Sequence, residues 1–288
     1  NVGKSTLMNA LVGQKVSIVS NKPQTTRRRV LGILTSDDYQ IVFVDTPGVH
    51  KAHTRLGQIL NDVAQHSIVE TGAVCVVVDS HAAPNDEDKA IAQMLKDGGW
   101  IDRETGKAKS SVILCMNKMD LLKPIDVVDR VEAYTKLFGT EQYMLTSLRR
   151  GDNLDKILAM MVGLLPESEL LYPEDEVTDQ PMRILAAELV REKALVLTRQ
   201  EVPHALATVV DAWEEDGPMT RITISLVVEK QGQKAILIGK QGSMLRRIGT
   251  EARKEIEELV EMKVLLKLWV KVHKNWSQDE RFLKELGY

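Results

Sequence analysis

Five short apolar runs alternate with stretches of helical period over the first half of the chain, and each run ends in a polar or glycine-bearing loop. The runs lie at residues 30–34, 41–44, 73–78, 112–116 and 143–145; the helical stretches include 56–70, 86–95 and 127–138. Runs this apolar suit strands covered on both faces, and strand–helix alternation predicts a doubly wound α/β domain with a mostly parallel sheet. Open sheets of this class bind ligands at the carboxyl ends of their strands. The loops that follow the runs are therefore where chemistry is expected.

The chain opens on Asn1-Val2-Gly3-Lys4-Ser5-Thr6, the second half of the phosphate-binding pattern G-x-x-x-x-G-K-[ST]. Gly3 lets the backbone approach a phosphate, Lys4 reaches the β- and γ-phosphates, and the Ser5 hydroxyl is a ligand for Mg²⁺. A helix over residues 6–12 would aim its partly positive N-terminus at the same phosphates. The leading glycine and the strand before it are not in the sequence, so the domain is expected to lack its first strand and to have an open slot beside the strand ending at Asp45.

The second run ends in Asp45-Thr46-Pro47-Gly48, where the acid can hold Mg²⁺ through water and the Gly48 amide can meet a γ-phosphate. The fourth ends in Asn117-Lys118-Met119-Asp120. There the Asp120 carboxylate can accept two hydrogen bonds from the guanine edge, Lys118 can lay its stem along the base, and Asn117 can brace the loop. The fifth ends in Thr146-Ser147-Leu148, whose backbone amides can meet the guanine oxygen. Any one of these is an ordinary turn. Four in this order, each closing its own strand, imply a domain that binds and hydrolyses GTP.

At 288 residues the chain has room for about two domains. Residues 166–180 carry six carboxylates, two prolines and no basic side chain, a composition that discourages helix and sheet and marks the boundary. The expected units are residues 1–165, an acidic linker at 166–180, and residues 181–288. Cys75 and Cys115 sit inside apolar runs and read as buried free thiols of a reducing compartment, and the six histidines show no metal-ligand spacing. No apolar run reaches the roughly 18 residues of a membrane span.

Beyond the linker, residues 182–198 read as a helix and residues 207–212 and 220–230 as strands. Next come an apolar turn of helix, the loop Gly239-Lys240-Gln241-Gly242, and a second helix to about residue 262. Helix–GxxG–helix is the signature of a KH domain, whose loop amides and basic side chains clamp four backbone nucleotides. Between residues 230 and 247 lie Lys230, Lys234, Lys240, Arg246 and Arg247, with no acid among them. A last strand over 263–273 alternates with period two. One face is Val264, Leu266, Leu268, Val270 and Val272; the other is Lys263, Lys267, Trp269, Lys271 and His273. That second face is either a site for phosphates and a stacked base or a plain solvated surface with Trp269 covered by another element.

Together NVGKST, DTPG and NKMD resemble the motifs of the translation-factor-related GTPases, and GQKVSIVSNKPQTTR (residues 13–27) resembles the Era family. The likeness runs to the tail, through Asn275-Trp276, Asp279-Glu280-Arg281 and Leu286-Gly287-Tyr288. It implies a P-loop GTPase domain followed by a type II KH domain, with residues 24–28 as first switch and either Thr25 or Thr26 closing on Mg²⁺ and the γ-phosphate. Lys4, Thr25, Thr26, Asp45 and Gly48 are then the catalytic candidates. Val49 stands where many GTPases carry a water-orienting Gln, so intrinsic hydrolysis should be slow. A K⁺ ion held partly by Asn1 would supply the missing charge in relatives of this kind; the other reading is that Asn1 only shapes the loop.

The resemblance further implies the 3′ end of small-subunit (16S) rRNA as partner and 30S assembly as process. A monomer in the cytoplasm is the expectation, with peripheral association with the inner face of the membrane and an organelle location both left open. One departure is Leu148, where the family has Ala; the guanine contact there runs through backbone, and the extra bulk bears on nucleotide affinity. Two alternatives stay open: a Der-like GTPase, which would carry two GTPase domains and no GxxG, and an RNA-binding module whose GTPase part is inactive.

Overall fold

A computed structural model describes residues 2–22, 24–49, 54–69, 71–198, 202 and 206–288. Helix α1 (Lys4–Val12) buries Leu7, Met8 and Leu11 on one face and stops at Gly13, which takes the left-handed conformation that ends helices. Strands β1 (Val30–Thr35) and β2 (Gln40–Asp45) form one two-stranded sheet, and β3 (Val74–Asp79), β4 (Val112–Asn117) and β5 (Tyr143–Leu145) a parallel three-stranded one. All six residues of β4 are buried, as a strand covered on both faces requires.

The first pair departs from the parallel expectation. β1 and β2 run antiparallel, Val30 opposite Asp45 and Thr35 opposite Gln40. Only residues 36–39 join them, and a parallel pair needs a crossover of about a dozen residues or more. No ladder joins β2 to β3 among the described residues, although Ile41 of β2 and Val77 of β3 share one apolar cluster with Leu7 and Leu11. Around the strands pack α2 (Arg55–Val69), α3 (Asp86–Asp97), α4 (Val127–Phe138) and α5 (Leu154–Val162). Asn85 starts α3 with a capping box, accepting from the Glu87 and Asp88 amides while the Asp88 carboxylate accepts from its own.

The acidic segment forms no helix or strand but is tied down along β1 and β2. The Ile33 amide donates to the Val177 carbonyl at 2.9 Å, the Leu31 amide to Asp179 at 3.1 Å, and the Gln40 side chain bonds residues 171 and 172.

The rest of the chain follows the expected order: α6 (Met182–Leu197), β6 (Ala207–Asp216), β7 (Met219–Val228), α7 (Gln231–Ile238), α8 (Ser243–Val260), β8 (Lys263–Val272) and a terminal α9 (Glu280–Glu285). The sheet order is β6-β7-β8, with β6 antiparallel and β8 parallel to β7, and a bulge in β6 between Val210 and Ala212. One sheet face, with Ile222, Ile224, Leu226 and Val264, meets Ala186 and Val190 of α6 and Ile248, Ala252 and Ile256 of α8.

Helix α2 joins the two halves. Its Leu56 and Leu60 are buried against Ala207, Val227, Trp276, Leu283 and Leu286, which come from the sheet's other face and the C-terminal tail. Leu60→Ala should lower stability by about 2–5 kcal/mol, the range for emptying a buried leucine site. Its check is the chemical-denaturation midpoint, which should fall with little change in slope.

Candidate functional site

The phosphate loop is braced by one amide side chain. Asn117 Nδ2 donates to the Val2 carbonyl at 2.7 Å, and its Oδ1 accepts the Leu148 amide at 3.0 Å, so a residue at the end of β4 fixes loops on either side. Gly3 has φ +114° and comes so close that a Cβ there would lie 2.6 Å from Asn117 Nδ2. Any side chain at that position would break the brace as well as strain the backbone. Lys4 and Gly48 meet across the site: a Cβ on Gly48 would lie 3.6 Å from Lys4 Nζ. Thr6 lies in the first turn of α1, and Thr46 and Pro47 carry the chain from β2 to Gly48. Asn1 lies outside the described residues.

Three oxygens converge beside this loop. Ser5 Oγ donates to Asp45 Oδ2 at 2.6 Å and stands 2.9 Å from Thr26 Oγ1, which itself lies 3.2 Å from the same carboxylate oxygen; Ser17 Oγ adds a fourth contact at 2.8 Å. Asp45 Oδ1 is buried and accepts no hydrogen bond among the described residues. This set fits Mg²⁺. Adjacent corners of an octahedron with bonds of about 2.0–2.1 Å lie about 2.9 Å apart, the Ser5–Thr26 separation, and the orphaned carboxylate oxygen is an acceptor left for the ion's shell. Thr25 is engaged elsewhere, its hydroxyl donating to the Lys22 carbonyl at 2.7 Å and lying 2.7 Å from Ser20 Oγ.

At the other end, Asp120 follows Lys118 and Met119 in a short 3₁₀ turn, and its Oδ1 accepts from Ser147 Oγ at 2.8 Å. That hydrogen bond, with help from Arg150 and Arg149, holds its carboxyl below the ordinary value, so it is an ionised acceptor at neutral pH. Lys118 takes the left-handed conformation and pairs with Asp79 at 2.5 Å. Asp79 escaped the sequence reading; its signal was an acid closing the third apolar run, the same placement that singled out Asp45. Leu148 turns its side chain into the apolar cluster with Leu7 and Ile113. Its bulk is thus spent in the core, and its backbone faces the loop.

In the C-terminal half the GxxG loop joins α7 to α8. Gly239 has φ +70°, and a Cβ there would lie 2.8 Å from the Met244 amide, whereas Gly242 faces open space. A groove runs from the loop between α8 and β8, lined by Gly242, Leu245, Arg246, Gly249, Arg253 and Leu268 among others. Lys240 and Arg246 carry no ion-pair partner among the described residues, while Arg247 pairs with Glu251 at 2.9 Å and Lys234 sits on α7. Lys267, Trp269 and Lys271 are on the opposite sheet face, away from the loop; Trp269 is 60 % exposed and Lys271 pairs with Asp211 at 2.9 Å. The groove instead takes Leu266 and Leu268 from β8. Sequence reasoning missed these, together with Gly249 and Arg253, although positions 242, 246, 249 and 253 share one face at helical spacing.

The family described as "50S ribosome-binding GTPase" matches residues 1–118, and that described as "KH domain" matches residues 201–277. GTPase Era of Geobacter metallireducens is 42% identical over 290 residues, covering all of this chain and 94% of its own length. This chain belongs to the Era GTPase family. GTPase Era of Lactobacillus delbrueckii subsp. bulgaricus is likewise 42% identical, over all of this chain and 92% of its own. Among solved structures, Era in complex with MgGDPNP and nucleotides 1506–1542 of 16S ribosomal RNA superposes with a TM-score of 0.91 at 36% identity, over the whole of this chain and 95% of that one. A point variant of Aquifex aeolicus Era bound to GDP·AlF4⁻ gives the same values.

As a member of the Era family the chain is a GTPase, built of a P-loop GTPase domain and a KH domain. Full-length likeness to Era, with one GTPase domain and an intact GxxG, disfavours the Der-like alternative. No helix of the described residues is long and apolar enough to cross a membrane.

Proposed function

We propose that this chain is a GTP-driven switch that binds small-subunit rRNA near its 3′ end and acts in assembly of the 30S subunit. The observation that carries the reading is the full-length likeness to an Era solved with both MgGDPNP and nucleotides 1506–1542 of 16S ribosomal RNA, in a chain that has a phosphate loop and a GxxG groove of its own. Residues 1–165 are the GTPase unit, 166–180 the linker and 181–288 the RNA-binding unit. In the first, Val2, Gly3, Lys4, Ser5 and Thr6 cradle the phosphates, and Asp45, Thr46, Pro47 and Gly48 meet the γ-phosphate. Asn117, Lys118, Asp120, Ser147 and Leu148 hold guanine.

Ser5, Thr26 and Asp45 would hold Mg²⁺, which when bound neutralises charge on the β- and γ-phosphate oxygens. Lys4 adds a positive charge, and the Gly48 amide fixes the γ-phosphate's orientation. Val49 offers the attacking water no polar group, so turnover depends on positioning and charge, with K⁺ beside Asn1 as a further source. The KH groove clamps RNA phosphates with the 239–242 loop, Lys234, Arg246 and Arg247, and lays bases on Leu266 and Leu268. Lys267, Trp269 and Lys271 extend the contact round the free edge of β8. The protein works as a monomer in the cytoplasm, with at most peripheral contact to the inner face of the membrane.

The test is GTP turnover and RNA binding measured together. An RNA with the 16S 3′-end sequence should bind more tightly with a non-hydrolysable GTP analogue than with GDP; equal binding in the two states would sink the switch. Thr26→Ala should raise the Mg²⁺ concentration for half-maximal turnover by about tenfold, about 1.4 kcal/mol of lost ion binding, and leave GDP affinity nearly unchanged. Replacing K⁺ by Na⁺ in the same assay tests the cation beside Asn1, with slower turnover as the expected result.

A further inference from the structure

The first switch is held from outside the GTPase domain. Arg191 of α6 is completely buried, and its Nη2 donates to the carbonyl of Thr25. The same guanidinium grips Glu188 with two bonds, one of them 2.9 Å from Nε. Burial works against both charges, yet their attraction keeps the Glu188 carboxyl below and the Arg191 guanidinium above their ordinary values. One residue on, Glu192 accepts the Val19 amide at 2.9 Å and Lys15 Nζ at 2.6 Å. Beyond Thr26, the Arg27 guanidinium donates to the Leu206 carbonyl at 2.6 Å and lies over the Trp276 ring at 5.6 Å.

Thr25 and Arg27 thus dock on the KH half, while Thr26 between them turns its hydroxyl to Ser5 and Asp45. With Arg191 buried and Glu188 part-exposed, such an ion pair is a poor way to gain stability: an apolar side chain of similar volume often serves equally well. What a guanidinium does here that an apolar group does not is donate to a carbonyl in a loop while its charge is balanced by its own helix.

We propose that Arg191 is a positioning residue of the GTPase site, supplied by the first helix of the KH domain. By fixing the Thr25 carbonyl it fixes the peptide that leads into Thr26, and so keeps the Thr26 hydroxyl beside Ser5 and Asp45. The inference rests on the metal-site reading above and deepens it: the site is completed by a residue about 165 positions downstream of the loop it holds. Displacing α6 would release Thr26 without touching the nucleotide.

A double-mutant cycle of the whole protein tests this, using Thr26→Ala, Arg191→Met and the pair together. The readouts are the Mg²⁺ concentration for half-maximal GTP turnover, kcat and KM separately, GDP affinity, and thermal unfolding. Arg191→Met should raise the Mg²⁺ requirement about tenfold and lower kcat, with GDP affinity within about twofold of wild type. The double variant should match Thr26→Ala alone, because the clamp acts only through Thr26.

Arg191→Lys, which keeps charge and helix but loses the forked geometry, should give a smaller shift of the same kind; it carries the test if the Met variant does not fold. Wild-type Mg²⁺ dependence in the Arg191 variants, or shifts that multiply in the double variant, would overturn the proposal whatever happens to thermal stability. A Thr26→Ala protein with wild-type Mg²⁺ dependence would overturn the metal-site reading and this inference with it.

Discussion

Asp120→Asn is expected to reduce GTP affinity by about 10⁴–10⁵-fold, the range seen when a site built around hydrogen bonds loses their match, and to let xanthosine triphosphate bind in its place. The carboxylate is held ionised by Ser147 Oγ at 2.8 Å and can accept from both N–H groups of the guanine edge. An asparagine puts an N–H₂ against one of those donors. Xanthine carries a carbonyl oxygen there, so the same amide finds an acceptor. Calorimetric titration with GTP and XTP reads the exchange. A wild-type protein that binds the two equally would remove Asp120 from the guanine site.

Lys240→Asp with Gln241→Asp should weaken binding to the 16S rRNA 3′ end by roughly 10–1,000-fold and make its salt dependence shallower, since at least one phosphate contact is lost. The two carboxylates would stand where phosphates are to lie. Folding should survive: Gln241 has φ +52°, a conformation aspartate tolerates better than most residues, and Lys240 has no ion-pair partner among the described residues. Turnover without RNA should stay close to wild type, because the loop is remote from the Ser5–Asp45 cluster. Unchanged RNA binding with the expected fold would reduce the GxxG to a turn.

The elements nearest the chemistry were the most legible, because strand ends and glycine loops are local signals. The runs before Asp45 and Asn117, and the loop 239–242, lie where period and turn residues put them. Their pairing was less so: a mostly parallel sheet was expected, but not which pair would run antiparallel, and β1 and β2, whose short connection allows only a hairpin, are that pair. Helix α5 went unmarked, its apolar spacing of Ile157 and Met161 being brief. In the site, two adjacent threonines are indistinguishable in sequence, and only the fold brings Thr26 rather than Thr25 to Asp45.

Three charged residues in a row, Arg191, Glu192 and Lys193, carry no mark in the sequence that would single out Arg191. Its burial depends on a loop about 165 residues away, for which no local pattern exists. Period two separated the faces of β8 correctly, but gave no hint which of them meets the groove; the aromatic and the lysines drew attention to the face that α8 does not cover.

The seam in which Leu56 and Leu60 meet Trp276 and Leu286 is largely hydrocarbon. Association of such surfaces carries a negative heat capacity and weakens on cooling. That apolar seam therefore holds least firmly in the cold, when the polar ties between the halves, such as Arg27 to the Leu206 carbonyl at 2.6 Å, carry a larger share of the grip. Temperature thus acts directly on the seam between α2 and the tail: cooling loosens its apolar grip and warming tightens it.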